Sequence, residues 1–210
     1  MNGAREALLG RIRTALGDDR PASATVPREY RRQGALPRDR VVARFVERVE
    51  DYGAHVVETT DPASAVAGLL AEAGAGRIVI APDLEAELRP PGVELVVDSG
   101  LTPTALDALD GALTTCAVAC AETGTIALDG GPGQGRRAIT LVPDLHVCIV
   151  GVSQVVETVP ELFERLGASA RAGRPIVLVS GPSATSDIEL RRVEGVHGPR
   201  RLAVVVRCDV

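Results

Sequence analysis

The chain has 210 residues, of which 45% are apolar, and this is enough to form the core of one domain. Aromatic residues make up 2% and the net charge is −5, so neither base stacking nor a basic surface supports nucleic acid as a partner. All 23 basic residues are arginines, which excludes Schiff-base chemistry and a Walker A phosphate loop, because both need a lysine.

The first 39 residues are predicted to form a helix and an extended arm. Apolar residues recur at helical spacing over residues 3–16, and Gly17 ends the pattern. The following residues, 18–39, are rich in proline, arginine and small polar side chains, as is typical of an arm or linker. The helix can pack on its own domain, which we favour, or dock on a partner.

Residues 40–210 are predicted to form an α/β domain, because helical segments alternate with strands rich in valine and isoleucine. We expect a mixed, mostly parallel sheet covered by helices. Residues 120–150 are predicted to be a hairpin around a glycine-rich turn, and this hairpin makes the sheet mixed. No apolar run reaches 18 residues, so we expect no membrane span.

The four cysteines lie in apolar, strand-like runs and form no C-x-x-C motif. We therefore predict no zinc or iron–sulfur site in this chain, and a reduced, cytoplasmic protein. They are Cys116, Cys120, Cys148 and Cys208.

The first polar motif is AETGT, residues 121–125. Glu122 directly follows the apolar run CAVACA, which places its carboxylate at a strand end or inside the sheet. Such a carboxylate is either a reactive group or the partner of an arginine, here Arg136 or Arg137.

Those two arginines close the second motif, DGGPGQGRR, which also contains Gln134. Its spacing is not that of a dinucleotide fingerprint. It is either a flap whose arginines bind an anion or a long turn with solvated arginines.

The third motif, SGPSATSDIE, follows a strand and is predicted to open a helix. Its hydroxyls and the free N–H groups of a helix start favour an anion, although an ordinary cap explains Ser186 and Glu189. His197 lies in a turn, GVHGP, before the last strand and is a candidate acid or ligand. His146 lies within a strand and is predicted to be a hydrogen-bonded core residue.

In this order, AETGT, SGPSATSDIE and GVHGP resemble the LUD domain, and more narrowly the LutC/YkgG lactate-utilisation family, over residues 40–210. The resemblance implies the fold of ribose-5-phosphate isomerase, glucosamine-6-phosphate deaminase and the CoA transferases (NagB/RpiA/CoA-transferase-like). It also implies a role in oxidising L-lactate to pyruvate beside two partner proteins that carry iron–sulfur clusters. The present chain would then hold no cofactor. Ser186 stands where many members have alanine.

We expect one pocket at the carboxyl ends of the strands, suited to a small carboxylate. Its predicted catalytic residues are Glu122 and His197. The predicted substrate-binding residues are Thr123, Gly124, Thr125, Gln134, Arg136, Arg137, Ser180, Gly181, Ser183, Ser186 and Asp187. Two alternatives are a free-standing CoA-transferase-like or sugar-phosphate isomerase-like enzyme that uses Glu122, and a sensor or structural module.

Overall fold

The computed structural model describes residues 2–17, 26–185, 193–195 and 197–208, and its contacts divide the chain into two compact units, Met1–Tyr30 and Arg31–Val210. The first unit contains helix α1 (Asn2–Leu16), after which Gly17 has a positive φ of 64°. Of the predicted arm, residues 18–25 lie outside the described residues, and residues 31–39 belong to the second unit.

The described residues of the second unit form four helices and twelve strands. The helices are α2 (Arg38–Asp51), α3 (Pro62–Glu72), α4 (Pro103–Asp107) and α5 (Val159–Arg171). The strands are β1 (His55–Thr59), β2 (Arg77–Ile80), β3 (Glu94–Val97), β4 (Gly111–Thr115), β5 (Val118–Cys120), β6 (Thr125–Leu128), β7 (Leu145–Gly151), β8 (Val155–Val156), β9 (Val177–Val179), β10 (Ala184–Thr185), β11 (Val193–Glu194) and β12 (Arg201–Arg207).

Six strands form a parallel sheet in the order β1-β12-β7-β4-β2-β3. Alternate residues of β12 enter two cores, since Val204 packs in the cluster that contains Phe45 of α2, and Val205 in the cluster that contains Leu70 of α3. Because helices cover both faces, β7 is buried over its whole length, as central parallel strands are. The predicted α/β class, with a mostly parallel sheet covered by helices, is confirmed.

A second sheet of four strands, β8-β5-β6-β9, holds antiparallel pairs that the main sheet lacks: β6 runs antiparallel to both β5 and β9. Helix α5 packs on this sheet through Leu162 and Leu166, which share a core cluster with Val118 and Ala127.

The predicted hairpin over residues 120–150 is wrong, because β6 and β7 lie in different sheets. The hairpin is formed by β5 and β6 instead, and its short turn, residues 121–124, ends at Gly124 with φ of +59°. Residues 129–144 therefore cross from one sheet to the other. The glycine-rich part of this crossover folds against β4, where the Thr115 N–H donates to the Gly133 carbonyl at 3.1 Å.

Candidate functional site

A cavity of about 210 Å³ lies where β9 ends and where β7 and β12 begin, and we call it the amino-edge cavity. It brings together five residues that the sequence predicts for the site: Arg137, Ser180, Gly181, Ser183 and His197. The rest of its lining is Thr140, His146, Val177, Leu178, Val179, Pro182, Gly198, Pro199 and Leu202. The cavity thus lies at the amino edge of the parallel sheet and at the carboxyl end of β9, so among these strands only β9 meets the expectation of a pocket at the carboxyl ends.

Ser183 joins the two motifs that are farthest along the chain. Its N–H donates to the Pro199 carbonyl at 2.8 Å, its carbonyl accepts from Gly195 at 2.9 Å, and its hydroxyl accepts from the His197 N–H at 3.1 Å. Beside it, β10 and β11 pair antiparallel, and the helix that the sequence predicts from Ser186 lies outside the described residues. Ser186 and Asp187 lie outside the described residues.

Arg137 provides the positive charge of the cavity. Its Nη1 donates to the Thr140 carbonyl at 2.6 Å and hydroxyl at 2.9 Å, and its Nη2 donates to the His197 carbonyl at 3.3 Å. Among the described residues no carboxylate pairs with it. Burial lowers the pKa of Arg137, because a half-buried guanidinium loses hydration. A cation held in place only by neutral oxygens favours a bound anion.

His146 is a lining residue that the sequence reasoning missed. It is buried in β7, and its Nε2 lies 2.8 Å from the hydroxyl of Thr114 on β4, so it is the hydrogen-bonded core residue that the sequence predicts. It also lines the cavity. Burial, and then the charge of Arg137, lower the pKa of His146 to about 4, so its ring is neutral at pH 7. The feature of the sequence that could have indicated this is a histidine at the second position of a strand whose other residues are apolar.

A chain of hydroxyl groups connects the AETGT turn to the cavity. The Thr123 hydroxyl lies 2.7 Å from that of Thr125, which lies 2.7 Å from the hydroxyl of Ser180. Gly124 permits this turn, since a Cβ there would come within 2.9 Å of the Arg48 backbone. Thr123 and Thr125 therefore support the wall of the cavity without lining it.

Glu122 does not line the amino-edge cavity. Its carboxylate is about one-third exposed and pairs with Arg31 at 3.1 Å, and the same guanidinium contacts buried Glu157 at 3.3 Å. Glu122 thus forms an ion pair, as one of the two interpretations of the sequence predicts, but its partner is Arg31 and neither Arg136 nor Arg137.

The other predicted residues of the glycine-rich loop fix its shape. Arg136 forms a double hydrogen bond with Asp98, at 2.6 and 2.9 Å, and the bonds from Arg136 hold the pKa of Asp98 below its usual value. Buried Gln134 accepts from the Asp129 N–H at 2.7 Å and donates to the Asp129 carboxylate at 3.1 Å. Neither residue lines the amino-edge cavity.

A larger cavity, of about 580 Å³, lies at the carboxyl ends of β4, β7 and β12, and we call it the carboxyl-edge cavity. Several polar groups of its lining are bonded to the protein itself. Arg174 pairs with Asp129 at 2.8 Å, the Thr115 hydroxyl donates to the Pro132 carbonyl, and the Gln154 amide donates to the Cys116 carbonyl. Arg165 also lines this cavity without a carboxylate partner among the described residues, but it is exposed and donates to the Ser153 carbonyl at 3.0 Å. Arg137 is half-buried and therefore gains more from a bound anion, so the amino-edge cavity is the better candidate.

Within the described residues, the structure offers neither a cluster of metal ligands nor a helix that could cross a membrane. No group of three or more His, Cys, Asp or Glu side chains is placed to hold a metal ion. No helix in this part of the chain is long and apolar enough to cross a membrane.

Comparison with known proteins shows matches along nearly the whole chain. Lactate utilization protein C of Deinococcus radiodurans is 43% identical over 206 residues, which are 97% of this chain and 95% of that protein. Lactate utilization protein C of Bacillus pumilus is 28% identical over 98% of this chain and 97% of that protein. A crystal structure of a DUF162 family protein from Deinococcus radiodurans matches with a TM-score of 0.71 and 39% identity, over 83% of this chain and 100% of that one.

The family model of the LUD domain matches residues 98–206, a range that contains every residue lining the amino-edge cavity. "Uncharacterized protein YkgG" of Escherichia coli is 36% identical over 89 residues, 40% of this chain and 38% of that protein. With a family model matched over half its length and relatives aligned from end to end, the chain belongs to the LUD domain family, in the group of lactate utilization protein C and YkgG.

Proposed function

We propose that this protein is a subunit without iron of a cytoplasmic system that oxidises L-lactate, and that it binds a small carboxylate in the amino-edge cavity. The relatives that align over nearly the whole chain carry the name lactate utilization protein C, which supports a role in lactate utilisation. The electrons of lactate would pass to iron–sulfur clusters on partner proteins.

The observation that carries the binding proposal is the state of Arg137. It is half-buried, it is oriented by the carbonyls of Thr140 and His197, and no carboxylate of the described residues neutralises it. Arginine binds a carboxylate through two parallel hydrogen bonds, so an acid that enters the cavity supplies the missing negative charge.

The size and lining of the cavity suit a molecule as small as lactate. A volume of about 210 Å³ corresponds to several water molecules at about 30 Å³ each. Ser180 and Ser183 contribute hydroxyls to the lining, and Leu202 and Val179 contribute apolar surface. Such a lining offers polar groups to a carboxylate and apolar surface to a methyl group.

The enzyme alternatives depend on Glu122 as nucleophile or base. Its carboxylate contacts Arg31 and lies outside the lining of this cavity, so the geometry supports a lactate-system subunit better than a CoA-transferase-like or isomerase-like enzyme.

Calorimetric titration with pyruvate and with L-lactate tests the binding proposal. Wild-type protein should bind at least one of the two acids, and Arg137→Gln should weaken binding by about tenfold or more, because it removes a charged hydrogen-bond donor. Arg40→Gln is the matched control, since Arg40 is exposed on α2 and outside the cavity. Wild-type protein that binds neither acid, or equal affinities for wild type and Arg137→Gln, would refute the proposed site.

Growth on L-lactate tests the role in the cell. In a strain that lacks its own lactate utilization protein C, wild type and Arg40→Gln should restore growth, and Arg137→Gln should fail at equal protein level. Co-purification with iron-containing proteins from the same cells should accompany growth. Restored growth by Arg137→Gln would show that the role does not use this cavity.

A further inference from the structure

We propose that His146 donates a hydrogen bond from Nδ1 to the carbonyl oxygen of the bound acid, so that the amino-edge cavity prefers a 2-oxo acid over the matching 2-hydroxy acid. This inference rests on the proposed function and deepens it, because it concerns which form of the substrate pair the site recognises. It makes His146 a specificity-determining residue.

The buried hydroxyl of Thr114 fixes which ring nitrogen carries the proton. Thr114 is fully buried, and the only hydrogen-bond partner of its hydroxyl among the described residues is Nε2 of His146, at 2.8 Å. If Nε2 carried the proton, the hydroxyl hydrogen would be buried without an acceptor, which is costly. The favourable arrangement has the hydroxyl donating to Nε2, and the single proton of the neutral ring is then on Nδ1.

Nδ1 is the ring atom that is free to meet a ligand. Nδ1 has no hydrogen-bond partner among the described residues. In the same part of the chain, every side-chain nitrogen or oxygen that is closed off from solvent does have a partner. Nδ1 is therefore open to solvent, and the open space beside His146 is the amino-edge cavity. The ring stays neutral at pH 7, since burial and the charge of Arg137 lower its pKa to about 4.

Two other polar groups of the lining, Arg137 and Ser183, can also donate a hydrogen bond. Arg137 can only donate. Ser183 already accepts from the His197 N–H, which leaves its own hydroxyl hydrogen to donate. A 2-oxo acid presents three oxygens that all accept, whereas a 2-hydroxy acid adds an O–H that needs an acceptor. A site in which Nδ1 of His146, Arg137 and Ser183 can all donate therefore suits the 2-oxo acid better.

Nuclear magnetic resonance tests the proton position without a ligand. In ¹⁵N-labelled protein at neutral pH, long-range ¹H–¹⁵N spectra distinguish protonated from unprotonated ring nitrogens, and His146→Gln identifies the signals of His146. The inference expects a protonated Nδ1 and an unprotonated Nε2. A protonated Nε2 would overturn it.

Titration tests the preference itself. Wild-type protein should bind pyruvate at least about fivefold more tightly than L-lactate. His146→Gln keeps an amide near Thr114 but removes the ring Nδ1, so the preference should be lost while the protein stays folded by circular dichroism. His55→Gln is the matched control, because His55 is exposed on β1.

The two proposals fail in different ways. If neither acid binds wild-type protein, the proposed function fails and this inference fails with it. If both bind and L-lactate binds as tightly as pyruvate, or if His146→Gln keeps the preference, only this inference fails.

Discussion

At the residue scale, Glu122 shows how one side chain can satisfy two interpretations until its partner is known. It follows a buried strand, as a reactive carboxylate would, but Arg31 pairs with it from 91 positions earlier in the chain. Glu122→Gln should lower the free energy of unfolding by less than about 1 kcal/mol, because partly exposed ion pairs contribute little.

The same variant should bind pyruvate and support growth on L-lactate as wild type does, if Glu122 is an ion-pair partner only. Urea unfolding, titration and the growth assay together decide its role. Loss of growth at unchanged stability would instead support the catalytic role that the sequence predicts for Glu122.

His146 should make stability depend on pH in a defined window. The pKa of this side chain is about 4 in the folded protein and about 6.5 in an unfolded chain, so between these values the unfolded chain binds more protons. The free energy of unfolding should therefore fall as the pH drops from about 6.5 to about 4, by about 3 kcal/mol, and this contribution is lost in full below that.

Urea unfolding at neutral pH and at about pH 4.5 measures this effect. His146→Gln should remove most of the pH dependence in this window, and His55→Gln should keep it. Parallel pH curves for wild type and His146→Gln would contradict the burial of a neutral imidazole.

At the element scale, the turn after β9 depends on Gly181. This residue has φ of +107°, and a Cβ there would lie 2.6 Å from the Cβ of Tyr52. Gly181→Ala should therefore destabilise the protein by more than about 1 kcal/mol and weaken pyruvate binding, because the cavity wall must shift.

Gly68→Ala is the matched control. Gly68 is exposed within α3, and a Cβ there meets no atom within 4 Å, so alanine should stabilise the protein by about 0.4–1 kcal/mol. Thermal unfolding compares the two variants, and equal stability of Gly181→Ala and wild type would show that the turn accepts a side chain.

Elements were predictable where local pattern decides structure. The covered parallel strands are continuous apolar runs in the sequence. Asp61, followed by Pro62, has the residue types of a helix start, and it caps α3 by accepting from the Ser64 N–H at 3.2 Å. Strand partners were not predictable. The apolar run TIAL pairs with β5 and β9 and does not continue into β7, because the short turn at Gly124 closes a nearer hairpin than the glycine-rich loop does.

At the scale of the second unit, the site results from two sheets whose strands are interleaved along the chain. The sequence predicted which motifs carry polar groups, and Arg137, Ser180, Ser183 and His197 do meet. The edge at which they meet was not predictable, since β9 contributes its carboxyl end while β7 and β12 contribute their amino ends. His146 was missed as a lining residue because its place beside the cavity depends on that arrangement.

The central claim is that the amino-edge cavity binds a small carboxylate through Arg137, and a crystal structure of the protein with pyruvate tests it most directly. We predict the carboxylate of pyruvate within about 3 Å of the Arg137 guanidinium, as charged hydrogen bonds require, with the carbonyl oxygen facing Nδ1 of His146. Pyruvate bound instead in the carboxyl-edge cavity, beside Arg165 or Arg174, with the amino-edge cavity empty, would contradict the claim.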